Sequence, residues 1–183
     1  MRDIQLQSGG RCGYEETGGW FLEDHTLEDI AWGLARQCRF AGQIKPEFEI
    51  YTVAQHSVWV AEQVAPSLRA EALMHDATEA FIRDIPGPYK KLMPDYAKHE
   101  RELDLVIRDY YQLPKSMSPQ VHLADMKALA TERRDLVCEG IAESWPDWDK
   151  LPNAHPKEIV PVGIHQSFHM FMKAAEQYGL KKC

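Results

Sequence analysis

The sequence predicts an all-α fold: a bundle of about six helices behind a short irregular N-terminal segment. Three observations carry this. Apolar residues recur at helical spacing in successive stretches from residue 26 onward. Proline and glycine punctuate the intervals between those stretches. Apolar–polar alternation at Ile4 and Leu6 suffices for no more than one short strand.

Residues 1–25 are rich in Gly, Thr and acidic side chains, and Ser8-Gly9-Gly10 and Gly18-Gly19 are turn signals. Thr26 with Asp29 resembles a capping box, and Leu27, Ile30, Ala31, Leu34 and Ala35 follow at helical spacing. Gly42 and Pro46 end that first helix. Tyr51 to Val64 reads as a second, with Val53, Val60 and Val64 toward a core. Beyond Pro66, Ser67 to Arg83 reads as a third, carrying Leu68, Ala72, Leu73, Ala80 and Phe81. Pro86-Gly87-Pro88 forces a break.

Tyr96 to Tyr111 is a fourth amphipathic stretch, marked by Leu103, Val106, Ile107 and Tyr110. Pro114 and Pro119 bracket a linker, and Val121 to about Cys138 is helical by Leu123, Met126, Leu129 and Ala130. Trp145 to Pro161 is proline-rich and predicted irregular. Gly163 to Tyr178 is a final helix, closed by Gly179 in the C′ role. At 183 residues the chain is expected to form one domain. Its parts are an extension (1–25), a helical core (26–140), and a proline-rich loop with the C-terminal helix (141–183).

Hydrophobic residues make up 44% and charged residues 27%, a globular balance that excludes low-complexity and coiled-coil readings. The net charge of −7 argues against a general nucleic-acid binder, although a metal and a few local cations can hold a small anion. Cys12, Cys38, Cys138 and Cys183 form no C-x-x-C pair, which removes zinc-ribbon and thioredoxin readings. With no apolar leader and no long apolar run, a cytoplasmic protein without a membrane span is expected.

The chemistry is concentrated where polar residues interrupt apolar helices. His75-Asp76 follows Ala72-Leu73-Met74, His56 lies in the preceding helix, and Asp125 breaks the run from Val121 to Leu129. Buried polar groups cost free energy unless paired. One histidine on a helix is most often a surface or satisfied core residue, and one aspartate is most often a cap. Together, two imidazoles and two carboxylates from three helices make a plausible divalent-metal site. Glu79, one turn beyond the His-Asp pair, is placed to move a proton. His165 and His169 have ligand-capable i, i+4 spacing but no evident third ligand, and read as packing or surface. His155 could line a pocket mouth.

This constellation resembles the HD-domain metal-dependent phosphohydrolases, whose pattern is H…HD…D. It is most similar to the small bacterial 5′-deoxynucleotidases and the related phage deoxynucleoside triphosphate hydrolases. The elements are His56, His75-Asp76-Ala77-Thr78-Glu79, Asp84-Ile85-Pro86-Gly87-Pro88, Lys90, Asp125 and the pair Arg39-Phe40 before the first histidine helix. Phe40 stands where tryptophan is common. The likeness spans residues 26 to about 140.

The resemblance implies roles residue by residue. His56, His75, Asp76 and Asp125 would hold the metal (zinc, cobalt or manganese, with additional magnesium for a triphosphate substrate). Glu79 would position or deprotonate the attacking water. Arg39 and Lys90 would bind phosphate, Phe40 would lie against base or sugar, and Asp84 would read the sugar 3′-hydroxyl. It implies a small-molecule deoxynucleotide substrate, no nucleic-acid or membrane partner, and a homo-oligomer. The bland alternatives are a helix C-terminal cation for Arg39, core for Phe40, a turn cap for Asp84 and solvated surface for Lys90. The small number of clear cations favours release of phosphate from a monophosphate over a dATP-type triphosphohydrolase. Another branch of the superfamily, or an inactive nucleotide-binding scaffold, would be the remaining readings.

Overall fold

The computed structural model describes residues 3–138 and 150–180. Three strands come first, β1 (Asp3–Gln5), β2 (Arg11–Tyr14) and β3 (Trp20–Glu23). The helices are α1 (Leu27–Ala35), α2 (Val53–Glu62), α3 (Arg69–Leu73), α4 (Glu79–Ile82), α5 (Gly87–Lys90), α6 (Pro94–Tyr110), α7 (Pro119–Leu136) and α8 (Ile164–Gln177). Short 3₁₀ turns occupy Arg39–Gly42 and Pro66–Leu68.

The N-terminal segment corrects the sequence expectation. It is a three-stranded antiparallel sheet in the order β1-β2-β3, so the chain is mostly helical rather than all-α. Strands of three or four residues are too short for alternation to stand out. Glycines at the turns do the shaping: Gly9 at φ 96° and Gly18 and Gly19 at φ 91° and 120° adopt backbone that L side chains rarely reach. Cys12 on β2 is buried in the core, and β3 packs on α6.

α1 begins as expected. The Thr26 hydroxyl accepts from the Asp29 amide and the Asp29 carboxylate accepts from the Thr26 amide, a reciprocal capping box. Asp29 also accepts from the Ser8 amide at 2.9 Å, which ties the sheet to the first helix. α2 is buried at every position from Val53 to Ala61, the signature of a core helix, and packs against α1, α3, α7 and α8.

The expected third helix is not continuous. It is a 3₁₀ turn, then α3, then a turned segment over residues 74–78, then α4. Met74 donates at 3.2 Å to both Ala70 and Glu71, and Glu79 donates to Asp76 at 3.0 Å, so the ladder tightens to i→i−3 bonds. Within that turn His75 Nε2 and Asp76 Oδ2 lie 3.2 Å apart. α4 is held close to α1 at Gly33, where a Cβ would lie 2.7 Å from that of Ala80.

α7 starts two residues earlier than the apolar pattern suggested, with Pro119 in the first turn, where its missing N–H costs nothing. Leu123, read as part of its apolar face, is exposed. α8 ends at Gly179, at φ 76°, in the expected C′ role. Residues 151–163 carry no helix or strand, as expected. Trp145 and Trp148 lie outside the described residues. Among the described residues, no helix is long and apolar enough to cross a membrane.

Candidate functional site

Three segments of chain meet at two imidazoles. His56 from the middle of α2 and His75 from the turn after α3 place their Nε2 atoms 3.3 Å apart. Asp125 from α7 brings Oδ1 to 3.3 Å from the His56 Nε2 and 3.8 Å from that of His75. Asp76 Oδ2 sits 3.5 Å and 3.2 Å from the same two nitrogens. Three of the four expected ligands, His56, His75 and Asp125, therefore meet as one group, and Asp76 lies against both rings outside that group.

This geometry fits a cation. Donor atoms about 2.1 Å from a common ion lie about 3.0–3.4 Å apart at octahedral to tetrahedral angles. His56, His75 and Asp125 each offer a ligand atom, all within 4.8 Å of one another, so this group could hold a metal ion. The second nitrogen of each ring is already committed. His75 Nδ1 bonds the Ala72 carbonyl at 2.8 Å, and His56 Nδ1 bonds Glu132 Oε1 at 2.6 Å. Such outer partners leave Nε2 of each ring as the free donor.

The electrostatics agree. Burial opposes charge on His75, but the Asp76 and Asp125 carboxylates draw it well above the ordinary imidazole range. His56 is also raised: burial and Arg39 oppose its charge, and Glu132 and Asp125 favour it. Against the cost of burial, the histidines hold Asp76 down to about 2 and Asp125 well below the usual carboxylate range. The cluster as a whole prefers positive charge at its centre.

Glu79 opens α4 as a buried residue, and its Oε2 has no hydrogen-bond partner among the described residues. Burial, then the negative charges of Asp76 and Asp84, push its carboxyl well above the ordinary range. Asp84 is likewise raised, first by burial, and lies in the field of Arg39, Asp76 and Lys90. It follows Arg83, whose φ of 80° is the left-handed turn that ends α4.

Arg39 arrives through the loop that leads into α2. A bridge between Cys38 and Thr52 and the Arg39 amide bond to Tyr51 O at 2.9 Å pin both ends of that loop. Phe40 and Ala41 take positive φ, 55° and 51°, to complete the turn, and the Arg39 guanidinium lies 5.6 Å from the Phe40 ring centre. Arg39 Nη2 donates to Glu132 at 3.1 Å and Nη1 lies 3.6 Å from Asp76, while Nε is buried without a partner among the described residues. Lys90 is less free than expected. Its ammonium donates to Glu100 at 2.6 Å, although Glu79 and Asp76 lie within its electrostatic reach.

Two residues escaped the sequence reading. Glu132 is fully buried on α7 and accepts from Tyr51, Arg39 and His56. It stands in the run Thr131-Glu132-Arg133-Arg134, which looks like solvated helix surface. The available signal was its position two turns beyond Asp125, on the same face. Tyr51, read as the start of a helix, lies just before the Thr52 cap and donates to Glu132 at 2.9 Å.

His165, His169 and His155 lie beside aromatic rings. His165 meets Trp32 edge-on at 5.3 Å, His169 lies 5.2 Å from Phe168, and His155 sits against Trp59 at 5.4 Å. A cleft of about 330 Å³ between β1, α1 and α4, bordered by Gln5, Trp32, Arg36 and Arg83, includes none of the converging residues.

No protein-family profile matches the chain. The chain is similar to the uncharacterized protein YfdR of Escherichia coli (strain K12), at 41% identity over 184 residues that cover all of this chain and 99% of that protein. Identity of that extent along both whole chains places this protein in the same family as YfdR.

Proposed function

We propose that the protein is a metal-dependent phosphohydrolase of the HD-domain type, acting on 2′-deoxynucleotides as a 5′-deoxynucleotidase. The observation that carries this is the meeting of His56, His75 and Asp125 around one point, with Asp76 against both rings and the buried Glu79 carboxyl in the field of Asp76. A divalent ion held there would supply Lewis acidity and a water of lowered pKa.

The chain's own residues account for the rest. Glu79 accepts the proton of the attacking water. Arg39 Nη1 lies 3.6 Å from Asp76, beside the same point, and a guanidinium fork suits a phosphate oxygen. Phe40 lies beside it for the base or sugar. Asp84, in the field of Arg39 and Lys90, accepts from the sugar 3′-hydroxyl. Because Lys90 is already paired with Glu100, few cations are left beyond a first phosphate, which favours a monophosphate over a triphosphate.

Product analysis tests this. The metal-loaded protein is incubated with dAMP, dATP and AMP, with and without chelator. Chelator-sensitive release of deoxyadenosine and phosphate from dAMP, with little from AMP, is the expected outcome. Tripolyphosphate from dATP would make it a triphosphohydrolase. No product from any of the three would leave another base or nucleotide class, or a nucleotide-binding scaffold.

A further inference from the structure

We infer that Glu132 is a positioning residue, whose one buried carboxylate orients both the metal-facing His56 and the phosphate-facing Arg39. The inference rests on the metal-centre reading and adds a role to a residue outside the ligand set.

The two oxygens of Glu132 divide their work. Oε1 meets His56 Nδ1 at 2.6 Å and the Tyr51 hydroxyl at 2.9 Å, and Oε2 accepts from Arg39 Nη2 at 3.1 Å. With Nδ1 donating to Oε1, the lone pair of His56 lies on Nε2, the atom that faces His75, Asp76 and Asp125. The same carboxylate holds the Arg39 fork over that group, 3.6 Å from Asp76. Satisfying a buried carboxylate needs only Arg39 and Tyr51. The third contact, to the far nitrogen of a ring at the cluster, gives the packing a chemical consequence.

α7 makes the arrangement economical. Asp125 and Glu132 are seven residues apart, about two turns, so they lie on one face of one helix. Asp125 reaches the His56 ring at Nε2 while Glu132 reaches it at Nδ1. One helix grips both edges of the same imidazole. Lys45 anchors the helix end, its amide and ammonium donating at 2.8 Å to the carbonyls of Leu136 and Asp135.

The test is the affinity of the full-length protein for Co²⁺ alone, read from visible ligand-field absorption and confirmed by calorimetry. Glu132→Gln keeps the shape and an acceptor oxygen but loses the charge. It should weaken Co²⁺ binding at least ~10-fold, the usual scale for loss of an outer carboxylate. Glu132→Asp, which keeps the charge but withdraws it by a methylene, should weaken it several-fold and serves if the glutamine variant does not fold. Tyr51→Phe removes a neighbouring bond to the same carboxylate, so it should lower Tm while leaving Co²⁺ affinity within about twofold. Folded Glu132 variants that bind Co²⁺ as the wild type does would overturn the inference and leave the metal site standing. Equal losses in Tyr51→Phe and Glu132→Gln would overturn it too, since packing alone would then explain both. A wild type that binds no Co²⁺ would bring down the metal-centre reading and this inference with it.

Discussion

The Nε2 atoms of His56 and His75 face each other at 3.3 Å, one from the middle of a core helix and the other from a turn nineteen residues later. Neither ring could be placed there by its own element alone. α2 is buried all round, so His56 is fixed by packing on every side. His75 is fixed by its bond to the Ala72 carbonyl, one turn back. That preorganisation leads to the first prediction.

Metal should stabilise the protein, and its removal should destabilise it. A ligand that binds only the folded state, at a hundred times its dissociation constant, adds about 2.7 kcal/mol. For a chain of this size that is a rise in Tm of about 5–10 °C. Thermal unfolding with Mn²⁺ and then with excess chelator measures it. Asp125→Ala should abolish the Mn²⁺ shift and leave less than a tenth of the wild-type metal content.

Glu79→Gln should eliminate turnover while metal content stays near one ion per chain. It should also stabilise the metal-free protein at neutral pH. Burial and two neighbouring carboxylates raise the folded pKa of Glu79 above its unfolded value. Stability from such an acid is fully present below the unfolded pKa and is lost as pH rises toward the folded one. The glutamine variant has no such loss. In chelator its Tm should therefore exceed that of the wild type at pH 8, with the gap closing at pH 4. A gap that widens on acidification would show the sign to be wrong.

Asp29 is predicted to behave in the opposite sense. Burial works against its charge, but hydrogen bonds from Ser8 and Thr26 hold the carboxyl below its usual range. A depressed acid contributes stability above its unfolded pKa and loses it as pH falls through the folded value. Asp29→Asn should cost about 1 kcal/mol at pH 7, the usual worth of a cap. Urea titrations at pH 7 and pH 3 should show that difference shrinking in acid. Because Asp29 also holds the Ser8 amide, amide exchange in β1 and β2 should speed up in the variant.

Much of the site was legible in the sequence because its residues violate their surroundings. His56 sits among Val53, Val58 and Val60, His75-Asp76 follows Ala72-Leu73-Met74, and Asp125 lies beside Ala124 and Ala128. Polar groups in apolar runs must be paired, so they announce themselves. Glu132 gave no such sign. Arg133, Arg134 and Asp135 follow it in sequence, and nothing local separates one buried acid from a run that reads as solvated helix surface. The sheet was obscured for a different reason. Its strands are short and their turns are glycine, so neither alternation nor β-branched enrichment could accumulate.

The sequence by itself marked the polar residues that interrupt apolar runs and the position of most helices, because periodicity and punctuation are local properties of the chain. It determined the caps at Thr26 and Gly179 in the same way. Tertiary structure alone decided three things. The helix through His75-Asp76 breaks into a turn, where the two side chains meet at 3.2 Å. Lys90 is spent on Glu100. Glu132, ninety-three residues from Arg39, joins Arg39 to His56. Each depends on what lies across the fold, where the cost of burying a charge is met by partners that sequence distance conceals.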